Sequence, residues 1–329
     1  MKTTLFVVSA LAASISLVTA CGGGSGGGGG TAGIGGTGIT TSGPITGFGS
    51  VFVNGVEFET NTTYYSVDDS TSGVGENNLR IGMIVTVTGT VNDDGLTGTA
   101  DSIDFDHELE GPISGAITDN GTTKTFEVMG ITVEVSDTST EFDDNISFAT
   151  ISSGDFVEVS GLPDESGKLI ATYIDASDDP YQDGDEVEAK GVVGNVDTGA
   201  GTFDLMISAG SIPVNFTAGT DLGDLQGGAL AEGQLVEVKG TLQPGGFAPI
   251  DATEIETEGF DDNEDDVNLK GIITNFVSTS NFVVSGQTVN ASTALLEPTN
   301  LTLGDGVLVE VEGPIVNGVL IADTVHQED

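Results

Sequence analysis

A Val-x-Val-x-Gly segment occurs four times in this chain, as Val85-Thr86-Val87-Thr88-Gly89, Val157-Glu158-Val159-Ser160-Gly161, Val236-Glu237-Val238-Lys239-Gly240 and Val309-Glu310-Val311-Glu312-Gly313. Strict alternation marks each as a strand with one face turned inward. The closing glycines stand 72, 79 and 73 residues apart. That spacing is far too long for a solenoid coil and suits a small β-domain. The chain therefore reads as an array of four similar domains.

Each copy sits in the same order of signals. A strand opens at a glycine in Gly43-Pro44-Ile45, Gly111-Pro112-Ile113, Gly191-Val192-Val193 and Gly271-Ile272-Ile273. A second follows at Val51-Phe52-Val53, Phe126-Glu127-Val128, Phe203-Asp204-Leu205 and Phe282-Val283-Val284. The third covers 56–58, 131–135, 212–216 and 289–291, and Asn54-Gly55 before its first copy is the strongest hairpin signal in the chain. A looser polar connection leads to the Val-x-Val-x-Gly strand, and an alternating strand at 96–103, 169–174, 248–255 or 319–325 ends the unit. Five strands, with the longest connection between the third and fourth, predict an all-β chain of tandem OB-like five-stranded β-barrels. An immunoglobulin-like sandwich needs about seven strands in roughly 100 residues and fits these units less well. Tryptophan is absent and aromatics make up 6% of the chain, so each core must be built mainly from β-branched aliphatics. The expected barrels span 43–108, 109–180, 187–258 and 267–329, joined by short acidic linkers.

The first unit carries a family resemblance. Gly43-Pro44-Ile45-Thr46-Gly47-Phe48-Gly49-Ser50-Val51-Phe52-Val53-Asn54-Gly55-Val56, followed by Leu79-Arg80-Ile81-Gly82-Met83-Ile84-Val85-Thr86-Val87-Thr88-Gly89, resembles a bacterial repeat domain known as domain of unknown function 5666. The match is specific for 43–105. The later units keep the opening glycine, the Val-x-Val-x-Gly strand and a terminal Ala-x-x-Ile-like signal without Gly-Phe-Gly-Ser. The resemblance implies a cell-envelope lipoprotein with tandem small β-barrels and carries no activity that could be transferred to particular residues.

The first 42 residues read as export and attachment. Lys2 supplies a minimal positive start, Leu5 to Leu17 is apolar but too short for a stable span, and Val18-Thr19-Ala20-Cys21 closes the segment. That ending resembles the bacterial lipobox, which implies cleavage after residue 20 and acylation of Cys21. Cys21 is the only cysteine, so no intramolecular disulfide can form, and a lipid gives the lone thiol a purpose. Gly22 in place of an aspartate resembles the signal for release to the outer membrane. Residues 21–42, rich in glycine and threonine, then read as a flexible tether with a root-mean-square reach of roughly 25 Å.

Charge narrows the partners. Seven basic residues stand against 52 acidic ones, a formal net charge of −45. OB-folds that bind nucleic acid use basic grooves and stacking aromatics, which this composition denies, so nucleic acid is excluded as a partner. An anionic membrane surface would repel the body, leaving the lipid at Cys21 as the only membrane attachment.

The acids gather where one unit hands over to the next, at 101–110, 175–188 and 254–266. In the first, Asp104, Asp106, Glu108 and Glu110 alternate with other residues, so a continuing strand would set four carboxylates on one face. The second holds Asp178, Asp179, Asp183 and Asp185, and the third Asp261, Asp262, Asp265 and Asp266. Ca²⁺ takes six to eight oxygen ligands, so these eight aspartates are candidate calcium ligands, although no EF-hand spacing is present. The alternative is a solvated, self-repelling spacer between barrels. His107 and His326 lie in different units, are expected to be exposed, and accompany no nucleophile-elbow serine. Transition-metal sites are disfavoured for the same separation of histidines.

These features predict a non-enzymatic, lipid-anchored envelope protein whose barrel faces or inter-repeat clefts bind a protein or polysaccharide. A calcium-stabilised adhesive array and a hydrolase using paired carboxylates are the alternatives. If the linkers hold calcium, millimolar Ca²⁺ raises the melting temperature above that in EDTA, Mg²⁺ does not, and changing Asp261, Asp262 and Asp265 to Asn abolishes the rise. An unchanged melting temperature returns these acids to solvation.

Overall fold

The computed structural model describes residues 38–329 apart from 93, 165, 178, 208–209, 224, 226–227, 245–247, 261–266, 317 and 328–329. Cys21, the export segment, most of the tether, and the candidate ligands Asp178, Asp261, Asp262, Asp265 and Asp266 lie outside the described residues.

The first repeat comprises β1 (Gly38–Gly47), β2 (Val51–Val53), β3 (Val56–Glu59), β4 (Tyr64–Val67), β5 (Ile84–Val91) and β6 (Thr97–Phe105). The second has β7 (Leu109–Asp119), β8 (Thr123–Val128), β9 (Ile131–Ser136), β10 (Glu141–Phe142), β11 (Phe156–Pro163) and β12 (Leu169–Ala176). In the third are β13 (Glu186–Asp197), β14 (Thr202–Ile207), β15 (Gly210–Asn215), β16 (Leu235–Leu242) and β17 (Ile250–Thr257). The fourth contains β18 (Val267–Ser278), β19 (Asn281–Val284), β20 (Gln287–Asn290), β21 (Leu295–Glu297), β22 (Leu308–Gly313), β23 (Ile315–Val316), β24 (Val319–Ile321) and β25 (Thr324–Gln327).

Each repeat closes a ring with one OB-type order. Repeat one runs β1-β2-β3-β6-β5 and back to β1, with β3 and β6 parallel and the other pairs antiparallel. Repeats two and three repeat it as β7-β8-β9-β12-β11 and β13-β14-β15-β17-β16. The fourth breaks its last two strands into the pairs β22/β23 and β24/β25 while keeping the order. Inside the rings the valines of the motif are fully buried, as at Val157, Val159, Val236, Val238, Val309 and Val311.

The glycine that ends each motif has a steric cause. A Cβ on Gly89, Gly161, Gly240 or Gly313 would collide with the backbone carbonyl oxygen of Thr99, Ile170, Asp251 or Ile321 on the facing strand. In the first three the ladder shifts register at that glycine. The fourth strand thus crosses the fifth at closer range than any side chain permits, and the bulge bends it around the barrel.

The first strand of every repeat is long and serves two partners. The leading half of β7 pairs with β11 and the trailing half with β8. Its leading half has a second edge, and β13 covers it, joining repeats two and three. In the same way β1 pairs with β18, in parallel, through Thr40, Thr41 and Ser42 against Val267, Asn268 and Leu269. Repeats one and four are joined by that pairing, although they are furthest apart in sequence. Two readings are corrected here. Gly38 to Ser42, which composition assigns to the tether, form the leading half of β1, with Ile39, Thr40 and Thr41 buried: β5 pairs with the whole of it and β18 with Thr40 to Ser42, which takes their backbone groups out of water. The repeats are also in contact, against the reading of the acidic linkers as self-repelling spacers between barrels. Buried side chains of repeats two and three form one continuous core, and Tyr173 of repeat two packs into the core of repeat one.

Replacing Gly161 by Ala is expected to cost about 1–3 kcal/mol through overpacking against Ile170, whereas Gly304→Ala, which meets nothing within 4 Å, stays within about 0.5 kcal/mol. Urea unfolding of the two variants checks the contrast.

Candidate functional site

Strand pairing between repeats turns outward-facing positions into an interior junction. Glu110 on β7 lies directly opposite Glu158 on β11 and Glu188 on β13. The row extends to Lys239 on β16 and Glu254 on β17 at one end, and to Asp175 on β12 at the other. Residues opposite one another share a face of the sheet, so this row holds five carboxylates and one ammonium group, and its centre is three glutamates side by side. Like charges in that arrangement destabilise a sheet.

Part of the compensation comes from the linker between repeats one and two. The alternation of β6 continues past its end, burying Ile103, Phe105, His107 and Leu109 in turn. His107 occupies a core position and is 4% exposed. Its Nδ1 lies 3.2 Å from Asp68 Oδ1, while Nε2 lies 3.4 Å from Glu188 Oε2 and 3.7 Å from Glu110 Oε2. Neither of the Nε2 contacts is a hydrogen bond. Asp68 and Asp69 follow β4 with φ of 46° and 58°, a left-handed turn that aspartate tolerates. The turn directs Asp68 to His107 and Asp69 to Lys239.

A second row lies beside the first. Lys190 is opposite Glu237, and Glu237 is opposite Glu256. The Lys190 ammonium is 3.2 Å from Glu258, 3.3 Å from Asp106 and 3.9 Å from Glu237. Lys239 reaches Glu237 at 3.2 Å. Asp104, Asp106, Glu108, Lys190 and Glu258 line a cavity of about 260 Å³ that also takes in Ser42 of repeat one and Gln287 of repeat four. Repeats one, three and four thus share an open acidic cleft.

The ionisation of these groups follows from burial and crowding. Burial works against a charged imidazole, yet contacts with Asp68 and Glu188 outweigh it and hold His107 well above its ordinary value. Burial likewise opposes the Lys190 and Lys239 ammonium groups, and the surrounding carboxylates overcome it and raise both. Among the acids, burial pushes Glu108, Glu110 and Glu237 up to about 7. Glu256 also rises to about 7, through burial and then through its neighbour Glu254.

Several expectations from the sequence change. His107 is buried because it takes an apolar register position, whereas His326 is exposed, 3.6 Å from Glu297. The first acidic linker is a packed joint and not a solvated spacer. The face predicted for Asp104, Asp106, Glu108 and Glu110 divides: the first three line the cleft, while Glu110 also faces His107. Asp183 is exposed, the Asp179 amide donates to Ser177 Oγ at 3.2 Å, and the Asp185 carboxylate accepts from the Gln182 amide at 2.7 Å. Among the described residues, the groups of three ligand atoms within 4.8 Å of one another are Asp68, His107 and Glu158; His107, Glu110 and Glu188; and Asp69, Glu237 and Glu256. Asp179, Asp183 and Asp185 belong to none of them. Two signals in the sequence pointed to the junction: a histidine in register with Ile103, Phe105 and Leu109, and a glutamate before Gly111 where Gly191 and Gly271 are preceded by lysine.

A family model described as a domain of unknown function (DUF5666) matches residues 110–175, 190–256 and 270–326. These segments are the second, third and fourth barrels, whereas the residues that carried the resemblance in the sequence lie in the first. No curated protein matches the chain.

Glutamates whose folded pKa is raised stabilise the fold fully below their ordinary value and lose that contribution as pH climbs through the folded value. For Glu237 and Glu256 this window runs from 4.5 to about 7. Raising His107 acts in the same direction. The melting temperature in EDTA is therefore expected to fall between pH 5 and pH 8, and Glu237→Gln to flatten the slope, as differential scanning calorimetry would show.

Proposed function

The chain belongs to the DUF5666 family, and from that premise we propose a non-enzymatic binding protein of the bacterial cell envelope, anchored by lipid at Cys21 in the outer membrane. The observation that carries the binding role is the cleft shared by repeats one, three and four. Asp104, Asp106, Glu108 and Glu258 line it together with Lys190, so the cavity is rich in carboxylates. Such a lining favours a lysine- or arginine-bearing protein segment over a neutral polysaccharide, because charge-assisted hydrogen bonds to carboxylate are among the strongest a cleft of this size can offer. Electrostatic attraction by a chain of net charge −45 would speed the encounter. Inter-repeat pairing supports the role by holding the cleft walls on paired strands, which lowers the ordering cost of binding.

A fluorescein-labelled lysine-rich peptide is expected to bind saturably in EDTA, with affinity that falls as salt rises. Asp104→Asn with Glu258→Gln should weaken it about tenfold or more, since two charge-assisted contacts are lost. Binding that ignores both salt and this double substitution overturns the assignment of the cleft. For the anchor, Cys21→Ser should move the protein from the membrane fraction to the soluble fraction, and unchanged fractionation would refute lipidation.

A further inference from the structure

The residue before the opening glycine of each repeat faces an equivalent residue on the Val-x-Val-x-Gly strand. The four pairs are Ser42 with Thr86, Glu110 with Glu158, Lys190 with Glu237, and Lys270 with Glu310. Repeats three and four set opposite charges against each other, which stabilises the ladder. Repeat two places glutamate where they place lysine, and the pairing of β7 with β13 adds Glu188 as a third carboxylate in the row. A row of this kind calls for a cation, and the chain supplies no lysine at its centre.

It supplies an imidazole instead. Asp68 engages His107 at Nδ1, so Nε2 is the nitrogen presented to Glu110 and Glu188. That nitrogen is buried, stands close to two carboxylates and makes no hydrogen bond. The ligand atoms of His107, Glu110 and Glu188 lie within 4.8 Å of one another, a spacing that bonds of about 2.0–2.2 Å to a single ion could draw together. A carboxylate behind the imidazole fixes its tautomer and orientation, as partners behind metal-bound histidines do.

From this geometry we infer that the junction of repeats one, two and three is a divalent metal site in which His107 Nε2, Glu110 and Glu188 bind the ion. Asp68 positions the imidazole, and Glu158, opposite Glu110, adds a further carboxylate at the edge of the site. One nitrogen with several carboxylate oxygens suits Zn²⁺ or Mn²⁺ better than Ca²⁺, which favours six to eight oxygens. The ion replaces the lysine that repeats three and four carry and ties three repeats together. Binding displaces the proton from His107 Nε2. The site is separate from the proposed occupant of the acidic cleft.

The test uses the full chain stripped with EDTA, titrated calorimetrically with Zn²⁺ and Mn²⁺, with Ca²⁺ and Mg²⁺ as controls. Saturable binding of one Zn²⁺ or Mn²⁺ ion and a higher melting temperature are expected. Glu110→Lys recreates the pair of repeats three and four, so it should raise the melting temperature of the metal-free protein and abolish metal binding. His107→Gln should also abolish binding, and Asp68→Asn should weaken it roughly 10–100-fold. Changing Asp179, Asp183 and Asp185 together to Asn should leave it intact. The site is overturned by a wild-type chain that binds neither ion, or by undiminished binding in Glu110→Lys; Ca²⁺ binding as tightly as Zn²⁺ overturns the metal class. Because peptide binding at the cleft is measured in EDTA, failure of either assignment leaves the other standing.

Discussion

A barrel whose first strand is longer than its partners leaves backbone hydrogen-bonding groups exposed along one edge, and the architecture of this protein follows from how that edge is covered. The leading half of each first strand is bonded on one side by the Val-x-Val-x-Gly strand of its own barrel. On the other side it meets the first strand of another repeat, β1 with β18 and β7 with β13. Unpaired strand edges attract foreign strands, so covering them internally protects the chain as well as joining it. Four barrels that could have been independent are thereby bonded in pairs, one of which links the two ends of the array.

Joining the edges has an electrostatic consequence. A strand that alternates buried and outward residues sends its polar positions to the outside of its own barrel. When two such strands pair, those outward positions stand opposite one another. Glu188 joins the pair of Glu110 and Glu158 in this way, and Lys190, which faces Glu237 within its own barrel, comes to sit beside Asp106 of repeat one as well as Glu258. The chain contains seven basic residues, and two of them, Lys190 and Lys239, are committed to this junction. Burial raises the pKa of several of the glutamates until protonation itself relieves the crowding near neutral pH. Concentration of acid at a joint, with a buried histidine in its midst, is a cost in stability that the fold carries at this place.

Much of the fold was legible because its causes are local. Period-two alternation, glycine at the strand crossing and Asn54-Gly55 at a hairpin each act within a few residues, and together they specify five strands and their order. The junction was less legible. Glu110 and Glu188 are 78 positions apart in the chain, and nothing in either segment says that β7 will pair with β13. The acids beside His107 in sequence predict an exposed residue, whereas its burial is set by the alternation running through Ile103, Phe105 and Leu109. Composition also misplaces Gly38 to Ser42, since a glycine- and threonine-rich segment becomes ordered when β5 pairs along it and β18 closes the other edge at Thr40 to Ser42.

The all-β class, the four repeats, the closing glycines and the excess of negative charge depend on residue type and short spacing, so they can be read along the chain alone. Which edges pair, which acids become neighbours and where the one buried histidine points are settled by the folded body. Those outcomes depend on contacts between segments tens of residues apart, whose pairing is selected by the packing and hydrogen bonding of the whole body and not by any short stretch of chain.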